Sequence, residues 1–370
     1  MNLIFEERPC RHGFRLGLAS LDAGASLNAL SLPMIEALAH RLAIWQDDPE
    51  IACVVLRGNG ARAFCAGGDV RALAEACRAD PGTVPALARR FFADEYRLFH
   101  RLHHYRKPLL GWAHGYVMGG GMGLLQSTGL RIVTPSSRLA MPEIGIGLYP
   151  DVGASWFLGR LPGRLGLFLG LGASQLNARD ALDLGLADRF LLDEQQEALL
   201  HGLAQLNWNE QSASQLHSLL QALEREALAR LPGAELLPRR ERIDRLLDVA
   251  DLPAAWHALT ALQDDSDPLL ARAAATLASG CPLTAHLVWE QLRRARRLSL
   301  AEALRMEYAM SLNCCRHPEF AEGVRARLID KDNRPRWHWP QVAAIPPSVV
   351  EAHFAPTWEG EHPLAQLGDS

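Results

Sequence analysis

Three consecutive glycines, Gly119-Gly120-Gly121, with Gly115 before them and Gly123 after, stand directly behind the apolar stretch Leu109 to His114. That stretch reads as a short strand, and Met122 to Gln126 can continue as a helix. The run is therefore a strand-to-helix turn stripped of side chains. A helix N-terminus carries unpaired amides and a partial positive charge, which stabilise an oxyanion facing it, and glycine lets a ligand approach the backbone. Taken alone, the run reads as a tight turn or a close helix contact. It is no nucleotide P-loop, because neither Gly-Lys-Ser nor Gly-Lys-Thr follows.

The surroundings predict α/β architecture. Phe14 to Leu21 reads as a strand. Ser31 looks like an N-cap with Pro33 in the first helical turn, and Ile35, Leu38, Leu42 and Trp45 recur at helical spacing. Ile51 to Arg57 is an apolar, β-branched run suited to a strand covered on both faces. A strand, a helix and a second strand suggest parallel pairing. Val84 to Tyr105 reads as a helix ended by Pro108, Leu130 to Thr134 as the next strand, and Ala178 to Leu184 as a short helix capped by Asn177. Beyond about residue 195 strand signals fade. Helices begin at Ser266-Asp267-Pro268, at Leu283 and at Ser299-Leu300-Ala301-Glu302, which has capping-box spacing. The expected organisation is an α/β core over residues 1–200, a helical region over 201–340 and an irregular, proline-rich tail over 341–370.

Two further stretches carry chemistry. Cys65-Ala66-Gly67-Gly68-Asp69 offers accessible amides from another loop, and two amides on separate rigid loops are what a tetrahedral oxyanion needs. Asp69 reads as the cap of a helix starting at Val70, and Cys65 as a small buried thiol. Glu143, beside Ile144, Ile146 and Leu148, would have its pKa raised by desolvation, and an ionised Asp151 nearby would raise it further, which suits general acid or base work. Read singly, Glu143 could equally be an exposed loop residue and Asp151 the N-cap of the next helix.

His100, His103 and His104 have helical spacing but sit among Arg101, Arg106 and Lys107, which reads as a solvated basic face rather than a metal site. Arg293 to Arg297 reads as a solvated helix end. No Gly-x-Ser-x-Gly elbow is present.

The totals set limits. With 370 residues and 48% apolar content the chain can build a large core, and a net charge of -4 gives no overall pull towards nucleic acid or an acidic membrane. Seven cysteines lack metal-ligand spacing, which fits reduced thiols in a cytoplasm. The acidic start, Met1 to Arg8, lacks the features of a secretory signal, and no apolar run reaches the roughly 18 residues that span a bilayer.

Together these motifs resemble the crotonase superfamily, also called the enoyl-CoA hydratase/isomerase family, and within it the 3-hydroxyisobutyryl-CoA hydrolase branch. The resemblance is carried by Leu27-Asn28-Ala29-Leu30, Ala63 to Val70, His114 to Gly121, Met141-Pro142-Glu143 through Gly153, Glu322 to Ala326 and Leu328 to Asp332. It implies a spiral of strand-strand-helix units with a mainly α-helical carboxyl-terminal region. It also implies an oxyanion hole from the amides of Gly68 and Gly120 with Gly67 and Gly119 beside them, active-site carboxylates at Glu143 and Asp151, and an acidic pocket residue at Glu95. The implied substrate is an acyl-CoA, with no separate cofactor and no metal, no nucleic-acid or membrane partner, and a possible homo-oligomer. Enoyl-CoA hydratases carry a second catalytic glutamate two residues after the glycine triplet, where this chain has Gly123. Thioester hydrolysis is therefore expected ahead of hydration or isomerisation of an unsaturated acyl-CoA, and ahead of a non-catalytic acyl-CoA or RNA-binding role.

Overall fold

In the computed structural model, which describes residues 2–209 and 212–368, strands are dealt alternately to two sheets. The larger has the order β1-β2-β3-β5-β7-β9, from β1 (Leu3–Pro9), β2 (Arg15–Leu21), β3 (Ile51–Gly58), β5 (Leu109–Ala113), β7 (Leu130–Val133) and β9 (Arg189–Phe190). The smaller is β4 (Ala63–Cys65), β6 (Tyr116–Met118) and β8 (Arg138–Ala140). After β2 and its crossover helix α1 (Leu32–Asp47), each turn of the chain gives one strand to each sheet. Helix α2 (Val70–Ala79) follows the first such pair and α4 (Gly120–Gln126) the second. The fold is a crotonase-type spiral, α/β as the residue pattern predicts.

Sequence explains most of the large sheet. The run Ile51–Gly58 is apolar on both faces because it lies between parallel neighbours, β2 and β5. Strand β1 was not foreseen; it pairs antiparallel with β2 through a short turn at Arg11–Gly13, and its glutamates hide an alternation in which Leu3 is buried. One face of the sheet, with Leu18, Val55 and Trp112, packs on Leu199 and Leu203 of α8 (Gln196–Gln205) and Leu220 of α9 (Ser212–Ala227). Each such side chain contributes about 1.5–3 kcal/mol on burial. Helix α7 (Ala178–Asp183) begins at the expected cap, where Asn177 accepts from the Asp180 amide at 2.9 Å.

The chain forms two compact units, each drawn from stretches on both sides of residue 200. The first comprises the chain up to Gly68, Arg101–Leu139 and Leu176–Leu237; the second comprises Asp69–His100, Ala140–Gln175 and everything from Pro238 on. The second is helical. It holds α2, most of α3 (Ala86–His103), α5 (Ala154–Leu158), α6 (Leu165–Gly172), α10 (Arg240–Leu246), α11 (Leu252–Thr260), α12 (Pro268–Ser279), α13 (Pro282–Arg294), α14 (Leu300–Arg316) and α15 (Pro318–Val324). Helix α6, apolar all round, is buried along its whole length, as such a composition requires. The Ser299–Glu302 capping box forms at the start of α14. In the stretch expected to be irregular, Pro347–Ala352 makes a short helix, α16, started by proline in its first turn.

Candidate active site

In the first unit the two glycine loops lie against each other. Gly121 lies so close to the backbone of Cys65 that a Cβ there would fall 2.1 Å from the Cys65 carbonyl oxygen. Gly67, at φ +115°, faces the second loop; a Cβ on it would sit 3.4 Å from Met118 O and 3.7 Å from Gly120 N. Gly119 occupies the N-cap position of α4 at φ 52°, and Gly120 is its first residue. The Cys65–Gly68 loop is fixed from Leu27–Leu30, where the Ala66 amide donates to Leu27 O at 3.0 Å and the Leu30 amide to Gly67 O at 2.8 Å. Among the described residues, neither the Gly68 nor the Gly120 amide donates a hydrogen bond to the protein. The geometry brings Gly67, Gly68, Gly119 and Gly120 together on two facing loops, Gly68 half-buried and the other three buried. Cys65 is fully buried. Asp69 does stand before α2, but its side chain makes no capping bond, and neither does that of Ser31 before α1; both expected caps act through backbone geometry alone.

The second unit gathers the acids. Glu95 lies on α3, Glu143 begins a 3₁₀ turn (Glu143–Ile146) and Asp151 follows on the same loop; all three are buried. The turn is anchored by the Cys281 amide, which donates to Ile144 O at 2.9 Å. Glu143 is therefore no exposed loop residue, and one of its carboxyl oxygens, Oε2, has no hydrogen-bond partner among the described residues. Nor is Asp151 a cap: α5 starts from Gly153, two residues later, with no side-chain cap. Burial, and next the charge of Asp151, push both Glu143 and Glu95 well above the usual carboxylate range. Asp151 is itself pushed up to about 6 by burial. Such a cluster can hold and pass protons near neutrality.

Four residues around Asp151 escaped the sequence reading. The Tyr96 hydroxyl lies 2.7 Å from Asp151 Oδ2 and 2.8 Å from Ser311 Oγ. Tyr149 donates to the Glu307 main-chain carbonyl at 2.6 Å and lies 2.9 Å from Ser311 Oγ. The Glu307 carboxylate accepts from the Gly153 and Ser155 amides at 2.7 and 2.9 Å, gripping the turn where Val152 and Gly153 both adopt positive φ. The available signal was an acid and a serine at i, i+4 spacing, Glu307 and Ser311, inside the apolar stripe of α14.

Comparison with known proteins agrees with this fold. The profile of the enoyl-CoA hydratase/isomerase family matches residues 16–354. The 3-hydroxyisobutyryl-CoA hydrolase of Danio rerio mitochondria is 37% identical over 92% of this chain and 87% of its own length. Its Homo sapiens counterpart is 33% identical over 95% and 88%. Among solved structures, a carnitinyl-CoA dehydratase from Mycobacterium thermoresistibile superimposes with a TM-score of 0.83 at 33% identity over 96% of each chain. An enoyl-CoA hydratase from Rhodobacter sphaeroides gives 0.80 at 34% over 96% and 98%. A profile covering most of the sequence, with relatives above 30% identity along nearly their whole length, places the chain in the enoyl-CoA hydratase/isomerase family.

Proposed function

We propose that this protein hydrolyses the thioester of 3-hydroxyisobutyryl-CoA, releasing CoA and 3-hydroxyisobutyrate, a step of valine breakdown. The observation that carries the reading is the placement of acids: Glu143, Asp151 and Glu95 are buried together, while α4, following the glycine run, contains no carboxylate. The names of the Danio rerio and Homo sapiens relatives point the same way. In this reading the amides of Gly68 and Gly120 hold the carbonyl oxygen as it gains charge, with Gly67 and Gly119 keeping the approach clear; one such donor is worth about 10²- to 10³-fold in rate. Glu143 takes a proton from water, or attacks to form a transient anhydride, and Asp151 protonates the departing thiolate. Glu95 lines the substrate pocket.

The two solved relatives named as a dehydratase and a hydratase favour a second reading, reversible hydration of an enoyl-CoA. One assay separates them: free thiol and enoyl-thioester absorbance are followed together over a small acyl-CoA panel. Thiol release fastest with 3-hydroxyisobutyryl-CoA is expected; loss of enoyl absorbance without thiol would reverse the choice. Glu143→Gln should abolish nearly all CoA release, and full activity in that variant would remove Glu143 from the mechanism.

All seven cysteines are free, which supports a reducing compartment; cytoplasm remains the proposal, against the mitochondrial names of the relatives. No helix among the described residues is long and apolar enough to cross a membrane.

A further inference from the structure

Four short oxygen-oxygen contacts run in series from Asp151: 2.7 Å to Tyr96, 2.8 Å on to Ser311, 2.9 Å to Tyr149, and 2.6 Å to the Glu307 carbonyl. Each hydroxyl brings one proton, and a main-chain carbonyl brings none. Three hydroxyl protons cannot fill four contacts. Were Asp151 ionised, Tyr96 would donate to it and Tyr149 to the carbonyl. Ser311 could then fill only one of its two contacts, leaving a pair of buried oxygens face to face with no proton between them. A neutral Asp151 supplies the missing proton, and all four bonds then point one way, from the carboxyl to the carbonyl.

We propose that Ser311, with Tyr149, is a positioning residue for Asp151: the contacts Ser311 makes with Tyr96 and Tyr149 favour the neutral carboxyl, so that Asp151 rather than Glu143 carries a proton into the reaction. The proposal rests on the hydrolase reading and divides the acid and base roles within it. Tyr96, Tyr149 and Ser311 are fully buried. The groups facing Asp151 are Glu95 and Tyr96 from α3, Glu143 and Tyr149 from its own loop, and Glu307, Cys314 and Cys315 from α14. No cation is among them; what favours a carboxylate there is hydrogen bonding, from Tyr96 and from the backbone, set against the larger effect of burial. Burial is the larger reason Glu143 holds its proton and the charge of Asp151 the next; a neutral Asp151 removes the second, which makes Glu143 easier to ionise.

The protons balance over a turnover. Glu143 either takes a proton from water as its oxygen bonds to the carbonyl carbon or bonds to that carbon itself; the C–S bond breaks, and sulfur takes the Asp151 proton. In the second route water then opens the anhydride, and in both the water supplies two protons, one returned to Asp151 and one released to solvent as the acid product ionises.

The test follows the ionisation of Asp151 in the full chain labelled with [4-¹³C]aspartate, its signal identified by its loss in Asp151→Asn. In Ser311→Ala, Tyr96 and Tyr149 each keep one contact and one proton, so ionised Asp151 is satisfied. Its midpoint should fall by about half a unit to one unit, making the protonated fraction roughly 3- to 10-fold smaller at a fixed pH above it. The kcat/KM profile should move with it, and Ser311→Thr should restore both. Tyr96→Phe takes away the donor to the carboxylate and should move the midpoint the other way. A folded Ser311→Ala protein with an unchanged or raised midpoint overturns the proposal. If that variant does not fold, Tyr149→Phe is read the same way, because Ser311 then donates to Tyr96 without a deficit. Wild-type protein that releases no CoA would sink the hydrolase reading, while the NMR midpoint still decides this one.

Discussion

Glu143 is buried with an oxygen that no group among the described residues satisfies, an arrangement useful to chemistry and costly to folding. Its folded pKa lies above the ordinary value because of burial and then Asp151. The stability linked to it is therefore fully present below the ordinary carboxylate pKa, near pH 4.3, and is lost as pH rises through the folded value. Glu143→Gln should consequently melt above wild type at pH 8, with the gap closing towards about pH 4. A variant that melts lower at both pH values would show that the carboxyl is stabilising. Gly67 tests the other half. Alanine there meets a positive φ and sets a methyl group 3.7 Å from Gly120 N. Gly67→Ala should lower kcat about 10²-fold or more, as expected when an oxyanion donor is lost, while cutting stability by only about 1–2 kcal/mol. Both glycine loops and both loop acids were legible because glycine runs and an acid among isoleucines are local patterns. Tyr96 was not, because its hydroxyl meets Asp151 from 55 positions away while its ring fits the apolar face of α3.

On the scale of elements, the decisive join is α14 to the Asp151 turn. Glu307 accepts two amides there, and its own carbonyl accepts from Tyr149. Glu307→Leu leaves both amides buried without an acceptor, at about 1–3 kcal/mol each. Amide exchange at Gly153 and Ser155 should accelerate far more than exchange in α6, and thermal stability should fall. Equal exchange in both places would show that the turn holds itself. Periodicity and punctuation announced α1, α3, α7 and α14, with starts within two residues of the structure. The same reading put Ser31 and Asp69 correctly at the N-cap positions but not their missing side-chain bonds, since a residue type suited to capping says nothing of where its oxygen points. It missed the clamp because Glu307 acts on residues more than 150 positions earlier.

For the molecule as a whole, the most consequential tie is the last stretch of the second unit. Arg89 and Arg97 of α3 donate to Thr357 O and Pro363 O, His362 bonds Arg305 O of α14, and Trp358 packs on Tyr308 of α14 at 5.4 Å. Residues 357–368 thus strap together the helices that carry Glu95 with Tyr96 and Glu307 with Ser311. Ending the chain after Ala355 removes this strap and exposes the seats of Leu364 and Leu367, each worth about 1.5–3 kcal/mol. Such a chain should melt lower and lose CoA release, with exchange rising first in α3; unchanged exchange there would make the strap decorative. The interleaving of the units has a further result in time. Helix α3 leaves the ribosome about 200 residues before α14, a lag of roughly 10–40 s at ordinary synthesis rates. Tyr96, whose hydroxyl meets Ser311 of α14, waits through that interval without its partner. Nascent chains stalled before residue 300 should therefore engage chaperones through α3, and the Glu307 and Ser311 contacts that hold the Asp151 turn can form only when synthesis is almost over.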